Sequence, residues 1–289
     1  MGRKDLPYTR SPEELRQRLA GDKRLSKHAE ALVAAGRDGL RLTQTDAESA
    51  DGRLGGQPDL PVDVEWPEWK SKPLAFLAQL DLAQVPERFR PRGLPESGLL
   101  SFFALIADRN GYGSFFERRG QWRVVHTPAG TPVVPRKLPK KLEDEARLRP
   151  QPVAMTVDWT PAECDAMEVM ELPLGSKGYP LDRYDRLVGE QDEPETIHRF
   201  LGQPDRIQDD PVNDLDFLYD LDVVKGRKRR EMIRAGEGDP HEWRLLLQVD
   251  SDEEGLGTMI GDVGRMYWLI RDDHLVAGRL DEVLVVTQC

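Results

Sequence analysis

The sequence predicts an α+β protein that is β-rich and internally duplicated, with mixed or antiparallel sheets and an N-terminal helical segment. Apolar residues with helical spacing follow a capping sequence near the start of the chain. Short apolar runs bounded by glycine and proline then indicate a series of strands. The order of these runs in the first part of the chain recurs in the last part, which indicates a duplication.

The N-terminal helical segment is assigned to residues 1–38. The run from Ser11 to Glu14 supplies an N-cap, a proline in the first turn and a glutamate that is placed to close a capping box. Leu15 and Leu19 then lie one helical turn apart, on the same face. A second helix follows before residue 36, and we expect both helices to pack on the main body of the protein.

The first copy of the repeat is assigned to residues 39–127. Residues 39–45 alternate between apolar and polar, and the segments 74–82, 99–106 and 122–127 predict three further strands. Gln79 interrupts the first of these runs, and a buried amide must find hydrogen-bond partners. We interpret Gln79 as a structural clamp between strands, with contact to a ligand as the alternative.

A connector with middle helices is assigned to residues 128–195. Its first part is rich in proline and carries a basic patch at 136–141, which is typical of a segment that crosses the surface. Residues 153–159 predict a strand. Thr160 and the proline after it predict the start of a helix, and residues 182–192 predict another short helix.

The second copy is assigned to residues 196–289 and repeats four features of the first copy in the same order. The corresponding pairs are Gly56-Gln57-Pro58 and Gly202-Gln203-Pro204, Gln79-Leu80-Asp81 and Gln248-Val249-Asp250, 99–108 and 265–272, and 122–127 and 282–287. A longer insert separates the first two features in the second copy. Such a repeat predicts two related halves packed around one core.

Several of these segments occur together in a known family. The first half contains residues 55–61, 74–81 and 98–103, and the second half contains residues 202–211, 245–252 and 261–264. In this order, over about 40 to 289, they resemble the YwqG-like family, a bacterial family of unknown function. The resemblance implies a mixed, sheet-rich domain and brings no established activity, cofactor or catalytic residue. The N-terminal helices and the insert around Lys225 fit it less clearly, so we expect any partner specificity to lie there.

The charge and the cysteine content narrow the class of protein. With a net charge of −11 the summed field repels polyanions, which argues against a nucleic-acid binder or an anionic-membrane binder. The two cysteines, Cys164 and Cys289, suit a reducing compartment. The start of the chain lacks the apolar core of a signal peptide, and no apolar run is long enough to span a bilayer. We therefore expect a cytoplasmic protein.

The candidate ligand or partner residues lie near strand ends in the second copy. They are Gln208, Asp210, Gln248, Asp250, Asp252 and Asp262. Clustered carboxylates could hold a hard cation such as Ca²⁺ or Mg²⁺, or could act as general acid and base if their pKa values were pushed apart. The alternative is structural, because aspartates cap turns and glutamines tie strands together.

No motif identifies a catalytic residue, a metal site or a cofactor. The histidines lack metal-ligand spacing, two distant cysteines make no zinc site, and neither a G-x-S-x-G elbow nor a Walker loop is present. The sequence therefore favours a non-enzymatic binding protein with a basic protein partner, such as an immunity-type protein that neutralises a basic toxin. The alternative is a carboxylate-dependent hydrolase or metal-assisted enzyme that uses Asp210, Asp250 and Asp262. The sequence leaves the oligomeric state open.

Overall fold

The computed structural model describes residues 9–106, 119–164, 169, 172–174, 180–189, 196–208, 210–212, 215 and 243–289. The α-helices with bounds inside these ranges are α1 (Pro12–Ala20), α2 (Ala29–Ala35), α3 (Pro180–Val188) and α4 (Asp272–Val276). The strands are β1 (Arg37–Gln44), β2 (Gly52–Leu54), β3 (Asp59–Pro61), β4 (Glu68–Trp69), β5 (Lys72–Pro73), β6 (Ala75–Asp81), β7 (Leu99–Ala104), β8 (Trp122–Thr127), β9 (Val133–Pro135), β10 (Gln151–Thr160), β11 (Arg199–Leu201), β12 (Trp243–Asp250), β13 (Arg265–Arg271) and β14 (Leu284–Gln288).

The N-terminal helices form where the capping sequence predicts them. The Ser11 hydroxyl accepts the backbone N–H of Glu14 at 3.2 Å, and Pro12 is the first residue of α1. The Glu14 carboxylate accepts the N–H of Arg10 at 3.1 Å, one residue before the partner that a capping box would use. Buried side chains of α1, α2 and α3 share one hydrophobic cluster, which holds these helices together.

An antiparallel sheet of ten strands forms the body of the described chain. Its strand order is β14-β13-β12-β11-β1-β10-β2-β6-β7-β8, and the neighbouring strands run antiparallel at each step. The segments predicted as strands in the first copy correspond to β1, β6, β7 and β8. The prediction of a β-rich α+β protein with N-terminal helices is therefore confirmed. No helix in the described ranges has the length and apolar character needed to cross a lipid bilayer.

The sheet curls, so that strands from its two ends meet across the hydrophobic core. Phe102 of β7 and Trp268 of β13 pack edge to face, with ring centroids 5.3 Å apart and an interplanar angle of 80°. The indole N–H of Trp122 in β8 donates to the carbonyl of Val283, just before β14, at 2.6 Å. These contacts enclose a core to which strands of both halves contribute.

The strands on the two sides of the central pair β1–β10 follow the same plan. β2, β6, β7 and β8 lie on one side in this order, and β11, β12, β13 and β14 lie on the other side. The register shifts once in the β6–β7 ladder, between Phe76 and Ala78, and once in the β12–β13 ladder, between Leu245 and Leu247. The two halves of the sheet therefore correspond in strand order and in the place of the irregularity.

The turns that follow β2 and β11 also have the same backbone conformation. Gly55 and Gly56 have φ angles of 59° and 71°, and Leu201 and Gly202 have φ angles of 61° and 84°. Two glycines adopt a left-handed pair easily, whereas Leu201 is buried and holds this strained conformation under the constraint of its surroundings. Each turn is followed by a Gln-Pro-Asp segment that lies against the next long strand.

The region after β10 differs from the sequence prediction. β10 continues through Thr160, which pairs with Arg37 of β1, and residues 161–164 are not helical. The helix predicted to begin at Thr160 does not begin there, because the sheet uses this backbone. α3 begins two residues before the predicted start at 182. The basic run around Lys225 lies outside the described residues.

Candidate functional site

Two buried glutamines, Gln79 and Gln248, tie the turns after β2 and β11 to the sheet. The Oε1 atom of Gln248 accepts the backbone N–H of Asp205 at 2.8 Å, and its Nε2 atom donates to the carbonyl of Ile197 at 2.9 Å. The Oε1 atom of Gln79 accepts the backbone N–H of Asp59 at 3.1 Å, and its Nε2 atom donates to the carbonyl of Asp59 at 2.8 Å. Both side-chain amides bond backbone groups, so both residues act as structural clamps.

An arginine lies between two aspartates in the second half of the sheet. Nη1 of Arg265 pairs with the carboxylate of Asp205, and Nε lies 3.0 Å from Oδ2 of Asp250. Asp250 also accepts the backbone N–H of Ile197 at 2.9 Å. Burial lowers the pKa of Arg265, and the two carboxylates raise it by more, so the guanidinium stays charged. The charge of Asp250 is therefore balanced within the chain.

Asp252 organises the loop that follows β12. Its Oδ1 atom accepts the N–H of Gly255 at 2.6 Å, and its Oδ2 atom accepts the N–H of Leu256 at 3.0 Å. Nε2 of His198 lies 3.6 Å from the same Oδ2 atom. The His198 ring and the two backbone amides lower the pKa of Asp252 to about 2, against the opposing effect of burial. Asp252 is therefore an anion at neutral pH.

His198 is buried between Asp250 and Asp252, and its two ring nitrogens face these two residues. Its Nδ1 atom accepts the backbone N–H of Asp250 at 3.2 Å, which assigns the ring hydrogen to Nε2. Nε2 faces Asp252 and has no hydrogen-bond partner among the described residues. His198 therefore contacts the backbone of Asp250 and lies beside the carboxylate of Asp252.

The remaining three predicted residues have different surroundings. Gln208 is exposed, and its side-chain amide donates to the carbonyl of the last residue at 2.7 Å. Asp210 is buried; it accepts the N–H of Val212 at 3.0 Å and pairs with Arg206 at 3.0 Å. Asp262 is exposed in the turn before β13. These two aspartates therefore differ sharply in exposure, and only Asp210 is held by a cation of its own segment.

The structure brings three of the six predicted residues together. Gln248 and Asp250 both bond to Ile197, and Asp250 and Asp252 both contact His198. The contacts described for the other three residues involve neither of these shared partners. Within the described ranges, no group of three or more His, Cys, Asp or Glu side chains is arranged to hold a metal ion.

Asp205, His198 and Arg265 are not among the residues predicted from the sequence. Asp205 could have been found, because it follows the second Gly-Gln-Pro just as Asp59 follows the first. Arg265 stands at the start of a predicted strand, and nothing in the sequence shows that two distant aspartates flank it. His198 precedes β11 without a motif, so its role depends on contacts made across the fold.

A groove of about 880 Å³ lies beside His198 and Asp252. Residues of β1, β10 and the loop after β12 line it. Its charged and imidazole side chains are those of Arg10, Arg41, Asp158, His198, Asp252 and Glu254. Asp158 pairs with Arg199 at 2.8 Å, so its charge is balanced, whereas Glu254 is exposed. The groove is therefore polar and carries charges of both signs.

These features define a class of protein with a curled antiparallel sheet, two corresponding halves and a polar groove beside the buried His198 and Asp252. The chain belongs to the family described as "Domain of unknown function (DUF1963)", whose model matches residues 52–289. The match covers both halves of the sheet and begins after β1. No curated protein was found to be similar to this chain.

Proposed function

We propose that this protein is a non-enzymatic binding protein that recognises a basic protein partner through the groove. The observation that carries the proposal is the pair of carboxylates that the loop after β12 presents to the groove. Asp252 stays ionised because its pKa is about 2, and Glu254 is exposed two residues later. The exposed carboxylate of Glu254, with the buried anion Asp252 behind it, attracts lysine and arginine side chains and speeds the encounter with a basic partner.

The chemistry of the carboxylates supports binding over catalysis. A hydrolase or metal-assisted enzyme built on Asp210, Asp250 and Asp262 would need carboxylates that are free to take a proton or a cation. Asp210 and Asp250 instead pair with arginines and accept backbone amides. Their negative charge therefore serves the fold of the second half.

The charge of the chain supports a basic partner. The net charge is −11, which favours association with a cationic protein at low ionic strength. Arg10 and Arg41 line the same groove as Asp252 and Glu254. A partner segment that carries both signs of charge would match this lining better than a uniformly basic segment, so the groove can select as well as attract. An immunity-type protein that neutralises a basic toxin would use such a surface.

Two adjacent glutamates allow a matched test of this proposal. Glu253 and Glu254 are both exposed, and of the two only Glu254 lines the groove. The purified chain and the variants Glu254→Lys and Glu253→Lys would be immobilised and incubated with extract of the native cells. We expect Glu254→Lys to reduce capture of a specific basic protein by about tenfold or more, and Glu253→Lys to retain it.

Two measurements accompany the capture experiment. Cross-links between the captured protein and the chain should map to the groove, and capture should weaken as salt is raised. Recovery of no specific protein would argue strongly against the proposal. Equal loss in both variants would indicate general charge attraction and would place the partner elsewhere on the surface.

We also infer that the two halves of the sheet arose by internal duplication. The matched strand order, the matched register shifts and the paired left-handed turns support this origin. Superposition of β2, β6, β7 and β8 on β11, β12, β13 and β14 should align the Cα traces, including the two shifts. Traces that diverge after the first pair of strands would contradict it.

We further infer that the chain is a YwqG-like member of its family and acts in the cytoplasm. The segments at 55–61, 74–81 and 245–252 support the first inference. Cys164 and Cys289 form no disulfide in the described part of the chain, which suits a reducing compartment and supports the second. Fractionation of native cells with an antibody to the chain tests the location, and recovery in a membrane or secreted fraction would contradict it.

A further inference from the structure

The first half of the sheet contains an acidic pocket of about 400 Å³. Asp51, Asp59 and Asp81 line it, together with Arg53 and Leu99. We propose that this acidic pocket binds the guanidinium group of an arginine that belongs to another molecule. The proposal goes beyond the groove, because the groove is formed by the central strands β1 and β10 with the loop after β12 and uses different carboxylates.

The second half of the sheet contains an occupied site of the same kind. The guanidinium of Arg265 lies between the carboxylates of Asp205 and Asp250. Arg265 stands opposite Asp250 in the β12–β13 ladder. Asp205 is held in place because its backbone N–H bonds to Gln248 at 2.8 Å. This arrangement identifies a guanidinium as the group that the two aspartates take.

The first half repeats the framework, but the ladder position opposite its second aspartate holds no arginine. Asp81 follows Gln79 as Asp250 follows Gln248, and the backbone N–H of Asp59 bonds to Gln79 at 3.1 Å. The residue opposite Asp81 in the β6–β7 ladder is Leu99, which stands where the second half has its arginine. Leu99 is uncharged and lines the acidic pocket together with Asp59 and Asp81.

The acidic pocket contains three carboxylates and one cationic side chain, so an additional cation would balance its charge better. Arg53 pairs with Asp59 at 2.7 Å and is the one cationic side chain in its lining. Asp51 accepts the backbone N–H of Met155 at 2.7 Å. Asp81 accepts the backbone N–H of Ala83 at 3.0 Å and the side-chain amide of Gln84 at 3.1 Å. A carboxylate oxygen accepts more than one hydrogen bond, so these groups retain capacity for a further donor.

The apolar part of the lining suits an arginine side chain. Pro150 and Pro152 line the pocket beside the half-buried Leu99. Such surfaces can cover the methylene groups of an arginine while its planar guanidinium reaches the carboxylates. A lysine would place a single compact charge there and would forgo the paired hydrogen bonds that a guanidinium makes.

The proposal can be tested with small probes, so its outcome does not depend on the partner proposed for the groove. The probe is Nα-acetyl-arginine amide, and its matched control is Nα-acetyl-citrulline amide, which has nearly the same shape and no charge. Binding to the full chain would be followed by NMR, using the side-chain amide signals of Gln79 and Gln248. We expect the arginine probe to shift the Gln79 signal in a saturable manner, with binding at least about tenfold weaker for the citrulline probe.

Two substitutions at one position separate loss of the site from loss of the fold. Leu99→Arg should supply an internal guanidinium to Asp59 and Asp81 and should weaken binding of the arginine probe by at least about tenfold. Leu99→Met, which keeps an uncharged side chain, should retain binding. The thermal midpoints of both variants would show that the chain is folded.

Two results would overturn the proposal. Equal shifts with the arginine and citrulline probes, or unchanged binding by a folded Leu99→Arg variant, would show that the acidic pocket does not take a guanidinium. A shift at Gln248 alone would assign the probe to the second half. Because the groove does not include Gln79 or Leu99, loss of partner capture by Glu254→Lys and loss of probe binding by Leu99→Arg are separate outcomes.

Discussion

Leu99 and Arg265 hold corresponding positions in the two halves of the sheet. Leu99 stands opposite Asp81 in the β6–β7 ladder, and Arg265 stands opposite Asp250 in the β12–β13 ladder. In the second half this position delivers a guanidinium to two carboxylates. In the first half Leu99 carries no charge, Arg53 pairs with Asp59, and an acidic pocket that also contains Asp51 and Asp81 remains. A difference of one side chain thus accompanies the difference between a closed ion cluster and an open pocket.

Removal of the guanidinium should strongly destabilise the second half. We expect Arg265→Leu to lower the free energy of unfolding by about 3–5 kcal/mol, because it leaves Asp205 and Asp250 buried without a cation. Urea unfolding followed by tryptophan fluorescence measures the change. The control is Arg244→Leu, which removes a more exposed pair with Asp272 and should cost about 1 kcal/mol or less. Similar losses in the two variants would contradict the role assigned to the buried cluster.

The clamp made by Gln248 should be as important as a core residue. Gln248→Leu leaves the N–H of Asp205 and the carbonyl of Ile197 without their partner, at about 1–3 kcal/mol for each group. Hydrogen exchange of the Asp205 amide should accelerate with the loss of stability. The exposed Gln208→Leu should change stability by only about 0.5 kcal/mol. Unchanged exchange at Asp205 in a folded Gln248→Leu variant would show that the clamp is not needed.

Acid should weaken the fold through Asp252. Its pKa is about 2 in the folded protein and 3.8 for an unperturbed aspartate, so its stabilising effect is present above about pH 4 and is lost as the pH falls towards 2. We expect Asp252→Asn to lower the free energy of unfolding at neutral pH by up to about 2 kcal/mol and to flatten the decline between these pH values. Unfolding curves measured across this range test it, with the exposed Glu253→Gln as control. A decline as steep in Asp252→Asn as in the parent would contradict the assignment.

The close approach of β1 and the turn after β11 should not tolerate a methyl group. A Cβ atom on Gly39 would lie 2.9 Å from the Cα atom of Gly202 and 2.9 Å from the carbonyl oxygen of Leu201. We expect Gly39→Ala to lower the free energy of unfolding by about 2 kcal/mol or more, because backbone atoms must separate. In Gly21→Ala the nearest atom would be 3.6 Å away, and thermal unfolding should change little. Equal midpoints for the two variants would show that the strands can move apart.

Local patterns predicted most of the elements. Ser11 caps α1 as expected, because an N-cap depends on a side chain and on the amides within one turn of it. The apolar run from 74 to 82 became β6, because its length and its bounding prolines favour a strand. The helix expected at Thr160 failed because pairing with β1 extends β10 through that residue. A propensity for helix does not outweigh a ladder that a distant strand completes.

The candidate site was predictable only along one strand. Gln248 and Asp250 alternate on β12, and Asp252 follows, so their spacing already placed them near one another. Gln208 and Asp262 were grouped with them because they are polar and lie near strand ends, which says nothing about distance in space. Arg265 and His198 were missed because their partners are far along the chain.

The sequence by itself determined the net negative charge of the chain, the N-cap of α1, and the apolar strands with the order in which they recur. These features depend on composition and on neighbouring residues. Only the tertiary structure decided that β1 and β10 pair at the centre, that Arg265 fills one acidic site, and that the corresponding site beside Leu99 stays open. Each of these outcomes joins groups that are distant in the chain. Register, burial and charge balance between such groups are properties of the folded sheet, so they do not follow from the sequence alone.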